Sequence, residues 1–366
     1  MNIEMAFSFQ STMFDFLKHE VVYMSPKPHH KTGIVVSGIY VFRSWLSTAF
    51  FLCAAYSTAH TADMSKLHDG FDGADFSSAG GLYYRENREQ SAGTYRFQNA
   101  VKRTGAGALE LSVKSLCKPL DGACSERAEI WEKTKLLVPY DVPVWYGFAV
   151  KFGEPIPVDN HRYLIAQWKR EIGPYAQGDF SPYLGFRYSG GKLFVTVETN
   201  YHEPSDAQPV AGVCPVGTTP VWLRQDTNQM RALVVKPVGW MPADEERYTS
   251  CTDKVIVTDH GNPLPEVASG WIDFAVLSKP GPDGSGHIEV FANGKWIVTV
   301  RGTIGHADFG LGKNQYFKFG PYRDGAPDKW TLYYDDFVRS PVCEDVLKDK
   351  EACRLVAAHG VAQSTP

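Results

Sequence analysis

Three short stretches concentrate residues able to do chemistry, and each alternates like a strand. In YFKFGPY, residues 316–322, Phe317 and Phe319 fall on one side, while Tyr316, Lys318, Gly320 and Tyr322 fall on the other. Two Phe make the first side the core side. The other side then displays a lysine and two tyrosines around a glycine that leaves room for something to approach. In YLIAQWK, residues 163–169, alternation groups Leu164, Ala166 and Trp168 against Tyr163, Ile165, Gln167 and Lys169. In SERAEIW, residues 125–131, Ser125, Arg127 and Glu129 oppose Glu126, Ala128 and Ile130. One such row is also what an outer sheet face in water looks like. Three rows of Arg, Gln, Lys and Tyr carry more donors and positive charge than a solvent face calls for, and they suit a carboxylate-bearing ligand.

These rows need a sheet to hold them side by side, and the rest of the chain supplies one. From about Phe71 to Arg339 short apolar alternations are divided by Gly, Pro, Asn and Asp: WYGFAVKF (145–152), KLFVTVET (192–199), WIDFAVLS (271–278) and HIEVFANGKWIVTV (287–300). Asn293-Gly294 between two alternating runs is a strong hairpin signal. With no βαβ rhythm, the pattern predicts an all-β sandwich of two antiparallel sheets. Residues 203–265 are richer in Pro, Gly, Asp and Glu, with two Cys, and read as a long loop insertion in that single domain. A short helix is expected in the tail that follows, 343–366, within Cys343–Ala358.

The chain has 366 residues, 43% hydrophobic and 13% aromatic, and a formal charge of −4. That is a folded, aromatic-rich protein without the global basic field a nucleic-acid partner would require. Behind Arg43 an apolar run ends in Ser57-Thr58-Ala59, the three zones of a secretory signal. The run is short for a membrane span of roughly 20 residues. Cleavage after Ala59 or Ala62 is expected, which makes 1–59 an upstream extension plus signal, 60–342 the main domain, and the protein secreted or periplasmic and free of the membrane. Residues 1–32 lie upstream of a normal signal, whose own start is expected near Val35 or Val36. Cys53 leaves with the signal, and six Cys remain. An even set in an exported chain reads as disulfides, and the sequential arrangement points to Cys117–Cys124, Cys214–Cys251 and Cys343–Cys353. No Cys/His cluster with zinc spacing occurs.

Tyr316-Phe317-Lys318-Phe319-Gly320-Pro321-Tyr322 resembles the K-x-G-x-Y strand of β-jelly-roll (concanavalin A-like) polysaccharide lyases of the heparin lyase I-like and glucuronan lyase-like kind. Arg127-Ala128-Glu129 resembles their R-S/A-E strand and Gln167-Trp168-Lys169 their Q-x-H strand, in the same chain order. Trp271-Ile272-Asp273-Phe274 and Asn293-Gly294-Lys295 resemble their late strands, so the likeness covers about residues 70–340. One departure stands out: Lys169 occupies the place of the His that many relatives use as base or carboxylate neutraliser. Lys169, His161 or Tyr322 would then take that part.

The resemblance implies cleavage of an acidic, uronic-acid-containing polysaccharide by β-elimination, by a monomer needing no cofactor. Arg127 and Gln167 would neutralise the uronate carboxylate. Tyr322, on the same face as Lys318, would take the C5 proton, donate to the leaving O4, or do both. Glu129 would orient Arg127, while Tyr316, Arg187 and Arg323 would line the substrate track, with Arg170 as a further candidate. Asp335-Asp336 resembles the place where some jelly rolls hold structural calcium. Two other readings stay open. A non-catalytic glycan-binding jelly roll would use Trp and Tyr but would not need Lys318, Tyr322, Arg127 and Gln167 together. A glycoside hydrolase would need two suitably spaced carboxylates, and the usual Glu-x-Asp-x-x-Glu strand is missing. No nucleophile elbow or phosphate loop is present.

Overall fold

The computed structural model describes residues 66–77, 82–84, 91–117, 124–178, 180–204, 213–240 and 247–361. The chain divides into two units, Met1–Thr58 and Ala59–Pro366. The first, with the secretory signal read from the sequence, lies outside the described residues.

Strands β1 (Leu67–Asp69), β3 (Gly93–Gln98), β4 (Ala108–Val113), β8 (Val144–Phe152), β15 (Val255–Asp259), β16 (Ile272–Lys279), β17 (Gly281–Ala292), β18 (Lys295–Ile304) and β20 (Trp330–Ser340) form one sheet. Its order is β15-β18-β17-β16-β8-β20-β4-β3, with β1 also paired to β20. The second sheet holds β2 (Leu82–Tyr84), β5 (Glu126–Arg127), β6 (Ile130–Glu132), β7 (Val138–Pro139), β9 (Tyr163–Ile172), β10 (Leu184–Ser189), β11 (Lys192–Asn200), β12 (Thr219–Arg224), β13 (Gln229–Val235), β14 (Ser250–Thr252) and β19 (Leu311–Arg323). Its order is β14-β12-β13-β11-β10-β9-β19-β6-β2, and β5 and β7 pair with β19 at either end of β6. All named strand pairs are antiparallel, so the fold is the jelly-roll sandwich that the alternation and the resemblance predict. The Asn293-Gly294 hairpin forms between β17 and β18, with φ of 49° and 73° at its two turn residues.

The inward faces meet in an aromatic core. Trp168 and Phe317 lie 4.5 Å apart between ring centroids, Phe319 and Tyr334 4.6 Å, and Phe148 lies 5.4 Å from both Phe274 and Phe317. Burying such rings is the main term holding two sheets together. On the outside of the first sheet, helix α1 (Lys350–Val361) packs Ala352 and Val356 near Trp145, Leu277 and Phe291. The three expected disulfides, Cys117–Cys124, Cys214–Cys251 and Cys343–Cys353, are all formed, the last one clipping α1 to the turn before it. Among the described residues no helix is long and apolar enough to cross a membrane.

Two details differ from simple alternation. The excursion at 203–265 is not all loop, because its short apolar runs build β12, β13, β14 and β15, three of which widen the second sheet. In β9, a bulge changes the faces. Phe186 pairs with Ala166 and Arg187 with Leu164, which leaves Ile165 as the extra residue. Tyr163 and Ile165 therefore join Ala166 and Trp168 in the core, while Leu164 stays outside that apolar cluster. The carbonyl of Ile165 accepts a hydrogen bond from the Tyr334 hydroxyl of the opposite sheet at 2.6 Å. The bulge's polar backbone is thereby satisfied inside the core.

Candidate active site

The bulge matters because it turns Leu164 to the outer face of the second sheet, where it pairs with Arg187 and Tyr322. Along β19, Lys318 pairs with Gln167 of β9 on one side and Trp131 of β6 on the other, and Tyr322 pairs with Leu164 and with Arg127 of β5. Paired residues share a face. The Arg127, Gln167 and Lys318/Tyr322 rows thus lie side by side, as the sequence predicts.

At the centre sits Glu129, buried like its two partners, Gln167 and Lys318. Its carboxylate accepts hydrogen bonds from Gln167 Nε2 and from Lys318 Nζ, the latter at 2.8 Å. A buried ammonium is tolerable only with such a partner. Lys318 Nζ also lies 4.7 Å over the Trp131 ring, which stacks on Tyr316 at 5.2 Å. Glu129 thus holds Gln167 and Lys318, and Ser125 Oγ, at 3.3 Å, accepts from Arg127 Nε.

Half-buried Tyr322 lies on the same face four residues further along β19 from Lys318, roughly 13 Å at ~3.3 Å per residue. The guanidinium carbon of Arg127 stands 4.1 Å from its ring centroid and that of Arg162 stands 5.0 Å away. Arg162 in turn pairs with Asp324 at 2.5 Å. Tyr322 is therefore flanked by two cations, each attracted by the ring face. The room beside Gly320 proves to be taken by the protein itself. Gly320 has φ of +127°, and a Cβ there would stand 2.0 Å from the Ala128 carbonyl oxygen. The glycine lets β5 and β6 close on β19, and the Ala128 N–H donates to the Pro321 carbonyl at 2.9 Å.

The other sequence-predicted residues divide. Lys169 is half-buried opposite Tyr316. His161 is exposed just before β9 and turns its ring edge towards Tyr163 at 6.4 Å, whereas its neighbour Arg162 reaches Tyr322. Arg187 and Arg323 do not form an exposed track. Arg323 is buried against Glu126 at 2.6 Å and the Ala326 carbonyl, and Arg187 is buried against Thr196 and Glu198. Long cationic chains reach inward here because buried carboxylates await them. Arg170 is spent on the carbonyls of Gly312 and His306. Alternation on SERAEIW could have flagged Trp131, two residues beyond Glu129 on the same face. Arg162 lies before the strand, where no periodicity could place it.

Asp335 and Asp336 are both engaged by donors of the protein itself. Asp335 accepts from the N–H groups of Arg103, Thr104 and Asp336, and Asp336 accepts from the Arg103 guanidinium and the Thr104 hydroxyl. Among the described residues no group of three His, Cys, Asp or Glu could hold a metal. The pair anchors the 103–104 turn, and no metal is assigned to it.

Residues 70–338 match the sequence model of the polysaccharide lyase family. The chain belongs to that family. Among solved structures the lyase is similar to endo-β-1,4-glucuronan lyase from the fungus Trichoderma reesei, with a TM-score of 0.51 and 15% identity over 78% of this chain and 98% of that one. It is also similar to alginate lyase Aly36B, with a TM-score of 0.39 and 12% identity over 75% and 96%. Cellulose induced protein Cip1 matches with a TM-score of 0.39 and 17% identity over 75% and 97%. No curated protein sequence matches the lyase. At 15% identity the likeness to the glucuronan lyase speaks for the fold alone, while the family match carries the enzyme class.

Proposed function

We propose that this lyase is exported and cleaves a uronic-acid-containing polysaccharide by β-elimination at Tyr322. The observation that carries the reading is the pairing of Tyr322 with two flanking guanidiniums, on the sheet face that also carries the buried Glu129–Gln167–Lys318 cluster. The difficult step removes the C5 proton, and it becomes feasible when the adjacent carboxylate is neutralised. Arg127 and Gln167 suit that task, with a planar fork of donors and an amide held in place by Glu129.

Proton transfer from C5 leaves an electron pair that forms the C4–C5 double bond as the C4–O4 bond breaks. The departing O4 takes a proton. Tyr322 accepts the first proton and returns one to O4, so no proton is gained or lost overall. Arg127 and Arg162, whose guanidinium carbons lie over its ring, supply positive charge beside it, while Lys318 is balanced by Glu129 on the same face. The three disulfides suit an oxidising compartment.

The test is ultraviolet absorbance during incubation with glucuronan, alginate, heparin, heparan sulfate and pectate. Elimination produces a conjugated unsaturated uronate on at least one of them, and Tyr322→Phe abolishes it. A Tyr322→Phe enzyme with near-normal turnover would remove Tyr322 from the reaction.

A further inference from the structure

The outer face that carries Tyr322 continues past β9 into a second cluster for which elimination has no use. Glu198 of β11 is fully buried, and three guanidiniums converge on it: Arg187 at 3.4 Å, Arg224 at 3.2 Å and Arg231 through Nε. Arg187 Nε also donates to Thr196 Oγ1 at 2.7 Å, and Arg224 Nη1 to Ser181 Oγ and Gln229 Oε1. At the margin stands half-buried Trp222, with the guanidinium carbons of Arg231, Arg224 and Arg247 at 5.0, 5.3 and 5.3 Å from its ring centroid. Arg247 is exposed. Burial, and after it Arg231, pushes Arg187 down to about 9 in spite of Glu198. Positive charge is thus crowded into this corner of the sheet.

The two clusters lie on one continuous face. Lys318 pairs with Gln167, Gln167 with Gly185 and Gly185 with Thr196; two residues on, Glu198 pairs with Arg231 and Arg231 with Trp222. Arg187 bridges them by lying over Gly185, its Nε 3.4 Å from where a Cβ would stand. Five strand steps separate Lys318 from Trp222, about 24 Å along the sheet at ~4.8 Å per strand. That is several sugar units away from a bond cleaved at Tyr322. Strands β12 and β13 lie within the stretch closed by Cys214–Cys251, so the insertion itself builds the outer half of the cluster.

We infer that the arginines around Trp222 form a remote subsite for a carboxylate-bearing unit of the polysaccharide, several units along the chain from Tyr322. The inference rests on the acidic substrate proposed above. Guanidinium forks match a carboxylate in two-point fashion, and the indole and Glu198 hold them ready before the ligand arrives.

Calorimetric titration tests this in a Tyr322→Phe background, which leaves the polymer uncut, with long-chain glucuronan, glucuronan trisaccharide and heparin as probes. Arg247→Ala and Trp222→Ala should each weaken long-chain glucuronan about tenfold, the loss of one charge-assisted contact, and leave the trisaccharide unchanged. Unaltered affinity for glucuronan in both variants overturns the subsite, as does an equal loss with the trisaccharide. A loss confined to heparin overturns the carboxylate assignment. Arg247 is exposed, so its variant should keep the parent melting temperature. Elimination assayed with Tyr322 intact separates the two readings. Normal product formation with unaltered binding removes the subsite alone. No product from any polymer, with Arg247→Ala still weakening glucuronan, removes the elimination reading and keeps the subsite.

Discussion

The guanidinium carbon of Arg127 lies 4.1 Å above the Tyr322 ring because the two residues are cross-strand partners on β5 and β19. Two residues nearly 200 positions apart in the chain thus form one unit. Removing the Tyr322 hydroxyl should abolish proton transfer, whereas removing the guanidinium should leave Tyr322 in place without its positive neighbour. Arg127→Lys is expected to lower kcat by about 10²–10³, the usual effect of losing one stabilising donor, since a point charge does not replace a planar fork. Steady-state elimination rates check this. A kcat within a factor of two of the parent would place the carboxylate elsewhere.

Glu129 makes a sharper stability prediction. Glu129→Ala would leave the Lys318 ammonium buried without its carboxylate, which typically costs about 3–5 kcal/mol. Glu129→Gln keeps the shape and an acceptor for Lys318, and should cost less while still lowering activity. Urea unfolding midpoints of the two variants, compared with the parent, should fall in that order.

Gly320→Ala should destabilise the fold at the site without touching any charged group. The new Cβ would stand 2.0 Å from the Ala128 carbonyl oxygen, at a φ that L residues rarely adopt. The cost is on the order of 1–3 kcal/mol from backbone strain alone. The β5 segment should loosen first, which hydrogen exchange at Ala128 N–H would report.

Buried His306, like His202, makes stability fall as pH drops. Burial holds its imidazole below the ordinary value, with Lys169 acting the same way and Glu198 and Asp308 opposing. Its Nε2 faces the Ser181 carbonyl at 3.2 Å, and Nδ1 is buried without a hydrogen-bond partner. As pH falls through about 6.5 the unfolded chain takes up a proton that the folded one refuses, so stability drops. Glu198 behaves differently. Burial would raise it, but Arg231, Arg187 and Arg224 together hold it below the usual carboxylate range. Its contribution, present above the ordinary carboxylate value, is lost only as pH falls through that lowered value. Melting temperatures should therefore decline between pH 7 and 5, and His306→Asn should flatten that decline by at most about 1.4 kcal/mol per pH unit.

The residue pattern by itself determined the two-sheet class, the three disulfide pairs and the outward rows of Arg127, Gln167, Lys318 and Tyr322. Strand periodicity is local, and alternation of apolar with polar side chains records which face is buried. Tertiary structure decided what alternation could not reach. The bulge at Ile165 exchanged the faces of Tyr163 and Leu164, since one extra residue reverses everything beyond it. Gly320 turned out to make way for the Ala128 carbonyl, and Arg323 turned to Glu126, 197 residues away, while Arg187 turned to Glu198 on the adjacent strand. Each of these depends on which strands become neighbours. That choice is set by packing between residues distant in sequence, and no local pattern encodes it.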